Sequence, residues 1–180
     1  MSKALIIIDM LYDFVDSEGR LYCGPEGSAI VPRVKSLLEQ AREQGIPVVF
    51  IADRHLPSDP EFDIFPPHCV QDSPGAEIIE VLRPLGDERV IAKRRYSAFF
   101  GTDLDLTLRE LRADELILVG VCTNICVLYT AADARNLAYR VVVPADAAAS
   151  FDASAHDWAL GQMETVLGCQ VPQEGYLLCK

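Results

Sequence analysis

The sequence predicts an α/β protein, a three-layer α/β/α sandwich around a mainly parallel, Rossmann-like central sheet. Two observations carry that expectation. Short β-branched apolar runs alternate with longer stretches of helical period along all 180 residues. The first run, ALIIID (4–9), is apolar nearly throughout, as in a strand buried on both faces of a sheet, and does not alternate. Each right-handed crossover then carries its helix back across the sheet, covering both faces. Half of the positions are apolar, enough for one sizeable core. With no repeat, low-complexity stretch or linker, residues 1–180 read as a single domain.

The elements follow in order. After the strand at 4–9, SAIVPRVKSLLEQAREQG (28–45) places Ile30, Val34, Leu37, Leu38 and Ala41 on one helical face, and Gly45 supplies the stop. PVVFIAD (47–53) is the second strand. A proline-rich loop then runs from 53 to about Pro74, long enough inside a compact domain to suggest a function of its own. A short helix is expected around 76–83, a third strand at RVIAK (89–93) and a helix at DLDLTLREL (103–111). LILVGV (116–121) is the fourth strand, leading into a helix from near Asn124. RVVVPA (140–145) is the fifth strand, DASAHDWALGQMETVLG (152–168) the last helix, and YLLC (176–179) a weak strand candidate.

Composition excludes several function classes. A net charge of −11 offers no basic patch for nucleic acid or an anionic membrane surface. The apolar run in MSKALIIIDM is too short to span a bilayer and no small-residue cleavage site follows it, so it reads as the first strand of a cytoplasmic protein. The six cysteines are expected to be reduced, with Cys23, Cys69, Cys169 and Cys179 as ordinary small apolar or surface thiols. A dinucleotide site would need a glycine-rich turn after the first strand, where the chain instead reads DMLYDF.

Ligands of doubly wound sheets bind beyond the carboxyl ends of the strands. Those ends carry Asp9, Asp53, Lys93 and the turn from Gly120 to Cys126, so an acid, a second acid, a lysine and a thiol are expected to converge. In GVCTNICVLYTA (120–131), the spacing of Cys122 and Cys126 is open to reading as a metal site, a redox pair or one reactive thiol. Redox pairs usually have two intervening residues, and no further zinc ligand lies close in sequence. Cys126, in the first helical turn, is the natural nucleophile, and the helix terminus is expected to depress its pKa. Of the histidines, His55 and His68 lie in the long loop and His156 reads as a surface residue, so Asp9, its pKa raised by burial, is the candidate base. In the loop DRHLPSDPEFDIFPPHC, Asp53, His55, Glu61 and His68 suit a divalent transition metal, with Asp59 and Asp63 offering the same chemistry as Glu61.

Together these residues resemble the isochorismatase-like cysteine hydrolases and, within them, the nicotinamidases of pyrazinamidase type. The similarity runs from ALIIIDM and the DF that follows, through DRH, FPPHC, KRRYSAFFGTDL and GVCTNICV, to the last helix. It implies the isochorismatase-like hydrolase fold, with Asp9, Lys93 and Cys126 as catalytic triad and the backbone N–H groups of Cys122 and Cys126 as oxyanion hole. It also implies one metal on Asp53, His55, Glu61 and His68, zinc first, with manganese and iron as alternatives. The metal would orient a pyridine ring flanked by Phe14 and Phe65, with Tyr96 lining the pocket. A cis peptide before Cys122 is a further family expectation.

The implied reaction is hydrolysis of nicotinamide, or a related pyridine or pyrazine carboxamide, to the acid and ammonia through a thioester, within pyridine nucleotide salvage. The resemblance implies a homo-oligomer of unstated size. The FPPH loop selects this branch, because relatives acting on isochorismate or carbamoyl compounds generally lack it. A metal-independent amide or carbamoyl hydrolase and a non-enzymatic ligand-binding module are the alternatives. One departure is Asn124, where many relatives carry an acid two residues before the nucleophile.

Overall fold

The computed structural model describes residues 2–178. Its sheet contains β1 (Lys3–Ile8), β2 (Val48–Asp53), β3 (Arg89–Lys93), β4 (Glu115–Val121), β5 (Arg140–Val142) and β6 (Ala148–Ala149). The order is β3-β2-β1-β4-β5, with β6 also paired to β4, and every one of these ladders is parallel. β1 is therefore central, which is why its apolar run does not alternate: Leu5 and Ile7 enter the core on one face, and Ala4, Ile6 and Ile8 the core on the other.

Helices α1 (Tyr12–Val15) and α3 (Val31–Gln44) join the core containing Leu5 and Ile7, and α2 (Gly24–Ala29) lies between the core residues Cys23 and Ile30. α4 (Leu104–Glu110), α5 (Leu128–Asn136) and α6 (Ala153–Thr165) cover the opposite face. The expected helix at 28–45 is thus two helices meeting near Ile30, its core stripe of Val34, Leu37, Leu38 and Ala41 intact. Gly45 ends α3 in the left-handed conformation, and its N–H donates to the carbonyls of Ala41 and Arg42. Asp152 caps α6 by accepting from the Ala155 N–H.

Gly120 lets β4 approach β1. Its φ is +117°, and a Cβ there would stand 2.0 Å from the Ile8 carbonyl oxygen, so only glycine allows the two strand ends to run this close.

Two sequence expectations require correction. The helix expected around 76–83 is replaced by 3₁₀ turns at Pro74–Ala76 and Glu80–Leu82. Between them the chain lies extended along the first loop, with Tyr12 N–H donating to the Glu77 carbonyl and Ile79 N–H to the Met10 carbonyl. Tertiary pairing of this β-branched stretch outweighs its helical period. Residues 176–178 of the suggested last strand form no strand; the Leu178 N–H is taken by the Gln40 side chain of α3, and Cys179 lies outside the described residues. Among the described residues, no helix is long and apolar enough to cross a membrane.

Candidate active site

Strand register assembles the charged centre. β2 and β3 end side by side with Asp53 opposite Lys93, and β1 ends one ladder over, just before Asp9. Asp9 itself takes the left-handed conformation, φ +53°, which aspartate tolerates better than most residues. That turn aims its carboxylate back at the neighbouring strand: Oδ1 accepts the Asp53 N–H at 2.9 Å, and Oδ2 lies 2.9 Å from Lys93 Nζ. Lys93 Nζ also reaches Asp53 Oδ1 at 2.9 Å and Cys126 Sγ at 3.4 Å. Asp9, Asp53, Lys93 and Cys126 are all buried.

Electrostatics follow from that burial. Loss of water pushes the Asp9 carboxyl up to about 6; Lys93 opposes the shift and Asp53 adds to it. Desolvation works against the Lys93 charge, but the carboxylates of Asp53 and Asp9 outweigh it and hold the ammonium well above its usual range. Burial likewise raises the Cys126 thiol, against the pull of Lys93 and with the help of Asp9 and Asp53. This corrects the expectation of a depressed thiol. Cys126 sits within a π-helical turn, Thr123–Val127, that precedes α5. Burial beside two acids dominates there over any helix-terminus effect. Asn124 lies inside the same turn and does not cap it; its side-chain oxygen accepts a hydrogen bond from Ser150. The Val121–Cys122 peptide is cis.

The long loop brings Asp53, His55, Glu61 and His68 together, with one donor atom from each all within 4.8 Å of one another. The Nε2 atoms of His55 and His68 face the same oxygen, Asp53 Oδ2, at 3.2 and 3.7 Å, and Glu61 Oε1 lies 3.9 Å from His55 Nε2. His68 Nδ1 contacts the Pro66 carbonyl at 2.8 Å, where it donates and so leaves Nε2 as a lone pair. His55 Nδ1 faces Asp59 Oδ2 at 3.2 Å. Two imidazole nitrogens and two carboxylates converging in this way fit a divalent transition metal. Of the acids that could replace Glu61, Asp63 is exposed, and Asp59 serves the far side of His55, held in turn by Arg95 Nη1 at 3.1 Å.

A narrow cavity, open to solvent at its mouth, connects the two clusters. Its walls include Asp53, Glu61, His68, Cys122 and Cys126, together with the expected Phe14, Phe65 and Tyr96. Leu21, Ile125 and Phe151 also line it and were not anticipated, because Leu21 and Phe151 are single apolar residues in loops and Ile125 sits in the irregular π turn, and none of these positions carries a periodic signal.

Three other residues escaped sequence reasoning. Asp59 looked like one of several loop acids. Buried Asp13 accepts the Cys69 N–H at 2.7 Å through Oδ2 and the Arg20 N–H at 3.1 Å through Oδ1, fastening the metal loop to α1. The DF pair that it opens was the only signal. His156 is half-buried rather than at the surface, and its Nδ1 lies 2.8 Å from Thr123 Oγ1 in the π turn.

The isochorismatase domain family matches residues 3–172. A Bacillus subtilis isochorismatase family protein, PncA, is 43% identical over 183 residues, covering 96% of this chain and 100% of its own. The crystal structure of nicotinamidase/pyrazinamidase PncA from Bacillus subtilis has a TM-score of 0.91 at 42% identity, over 96% of this chain and 100% of that one. N-carbamoylsarcosine amidase from Thermoplasma acidophilum has a TM-score of 0.89 at 36% identity, over 98% and 99%. Pyrazinamidase of Pyrococcus horikoshii, solved in complex with zinc, has a TM-score of 0.88 at 32% identity, over 97% and 100%. These likenesses define an amidohydrolase of nicotinamidase type. The chain belongs to the isochorismatase family.

Proposed function

We propose that the protein hydrolyses nicotinamide to nicotinate and ammonia through a thioester on Cys126. The observation that carries this reading is the double role of Asp53: one oxygen is 2.9 Å from Lys93 in the thiol cluster, while the other faces His55 and His68 in the donor cluster. A carboxamide carbon at Cys126 and a ring nitrogen at the donor cluster are the two ends of one small aromatic amide. The Bacillus subtilis and Pyrococcus horikoshii likenesses support the same substrate class.

In this mechanism Asp9 takes the Cys126 proton as sulfur attacks the carboxamide carbon, so a thiol that is neutral at rest becomes a thiolate only in the reacting complex. Lys93 balances the negative charge that passes between Asp9 and sulfur. The N–H groups of Cys122 and Cys126 receive the developing oxyanion, each worth up to about 3–4 kcal/mol of barrier. Asp9 returns its proton to the departing nitrogen, ammonia leaves, and a thioester remains. Water then attacks the acyl carbon as Asp9 takes its proton; the acid departs and Cys126 recovers its thiol. Phe14 and Phe65 flank the ring and Tyr96 closes the pocket beside them.

Asp53, His55, Glu61 and His68 would hold the metal, with zinc, the ion in the Pyrococcus horikoshii likeness, ahead of manganese and iron. When bound, the ion supplies a Lewis-acid anchor for the ring nitrogen.

The test is ammonia release from nicotinamide by the metal-loaded protein, the metal-stripped protein and metal-loaded Cys126→Ala, with N-carbamoylsarcosine run alongside. Turnover of nicotinamide that requires both thiol and metal supports the reading. Cleavage of the carbamoyl substrate without metal, and no action on nicotinamide, would replace it with the carbamoyl branch.

A further inference from the structure

Cys23 and Cys122, 99 positions apart in sequence, meet with their Sγ atoms 3.2 Å apart inside the protein. Both are free, buried thiols. The hydrolysis described above uses neither side chain, since Cys122 acts through its backbone N–H and Cys23 takes no part. Cys23 is the reduced, buried apolar thiol that was expected, and its contact with Cys122 is what the sequence did not announce.

A disulfide needs about 2.05 Å between sulfurs, so closure requires the pair to move together by only about an ångström. Both thiols stand on fixed backbone. The Cys23 N–H donates to the Phe14 carbonyl at 2.8 Å, and the residue packs so tightly on Gly27 that a Cβ at that glycine would lie 2.7 Å from Cys23 Cβ. Cys122 joins the end of β4 to the π turn carrying Cys126. Cys122 lines the substrate cavity, whereas Cys23 lies behind it, so a small oxidant entering the cavity meets Cys122 first.

We propose that Cys23 and Cys122 form a reversible oxidation site, closed to a disulfide by a small peroxide entering the substrate pocket, and that closure slows hydrolysis. The peroxide O–O bond breaks as Cys122 sulfur is oxidised, giving a sulfenic acid and an alcohol, or water from hydrogen peroxide. Cys23 sulfur then attacks the Cys122 sulfur; the S–S bond forms, the S–O bond breaks, and the hydroxyl leaves with the Cys23 proton as water. A dithiol reductant reverses the bond by exchange. Contact with Cys23, and then burial, raises the Cys122 thiol well above its usual range, which keeps that thiol protonated at rest and makes its oxidation slow. Bond formation stands on the sulfur geometry alone, whereas loss of activity rests on the proposed oxyanion role of Cys122.

The experiment exposes metal-loaded protein and its Cys23→Ala variant to hydrogen peroxide, follows nicotinamide hydrolysis, and maps thiols by alkylation and non-reducing peptide mass spectrometry. Wild type is expected to yield a Cys23–Cys122 peptide two hydrogens lighter than the reduced pair. Its kcat falls by about 10²-fold in step with that peptide, and dithiothreitol restores both. Cys23→Ala begins at wild-type activity and forms no such peptide, and its Cys122 sulfenic acid, lacking a resolving thiol, oxidises further to a form that dithiothreitol does not restore; Cys23→Ser serves if alanine fails to fold. Absence of the linked peptide, or equal recovery of wild type and variant with dithiothreitol, overturns the proposal. A linked peptide with unchanged turnover overturns the regulatory half and counts against Cys122 as oxyanion donor. If the untreated protein leaves nicotinamide intact, the functional reading fails, but peptide mapping still decides whether the oxidation site exists.

Discussion

Lys93 Nζ lies 2.9 Å from Asp53 Oδ1, an ion pair buried between adjacent strand ends. The same ammonium holds Asp9 at 2.9 Å, so one cation compensates two buried carboxylates. Lys93→Met should therefore be more damaging than loss of one contact. The expected outcome is at least 10³-fold lower activity and about 3–5 kcal/mol less stability, because both acids are left uncompensated. Denaturant unfolding beside kinetic assays checks both, and a variant as stable as wild type would contradict this account of the centre.

Asp9 acts in the proposed mechanism as its carboxylate, and its pKa is raised to about 6 chiefly by burial. Protonation below that value removes the base. For the metal-loaded enzyme, in which a cation on Asp53 would draw that value down, kcat/KM is thus expected to climb with pH on the acid side, dropping about tenfold per unit once Asp9 is protonated. A profile with no such acid limb would remove Asp9 from this role.

Asp59 touches His55 on the ring nitrogen turned away from the donor cluster. Such outer partners orient a ligating imidazole, and their loss typically weakens metal binding by about 10–100-fold. Asp59→Ala should consequently show that decrease in competition with a chelator, while saturating metal restores most of the activity. Unchanged metal affinity would mean that the contact orients nothing.

Asp13 serves the loop rather than the chemistry. Asp13→Ala leaves the buried Cys69 N–H without its acceptor, at a cost of about 1–3 kcal/mol. Thermal unfolding should shift down by about 2–12 °C. Because Cys69 follows His68, metal content should fall with it.

What was legible in the sequence followed from burial and register. β3 falls at 89–93 as expected, and the acid and lysine that close β2 and β3 were visible as polar residues ending apolar runs. The fifth strand shortened to Arg140–Val142 because Pro144 leads into a 3₁₀ turn at Ala145–Ala147. β6 is two alanines paired with β4, too short for any periodic signal. Contacts between remote side chains were also hidden: nothing in the spacing of Cys23 and Cys122, or of Asp13 and Cys69, announces that they touch. Local pattern specifies strands and their ends, whereas such pairs depend on how separate loops pack over them.

The central position of β1 has a consequence for biosynthesis. The first strand to be made receives its β2 partner some forty residues later, but its other edge stays open until β4, which begins at Glu115, has been synthesised. Until then the chain carries an unpaired, strongly apolar strand edge, the kind of surface that invites association between nascent chains. A ribosome pausing before residue 115 would prolong that exposure, so the tempo of translation across the middle of the chain bears on how much protein reaches its folded state.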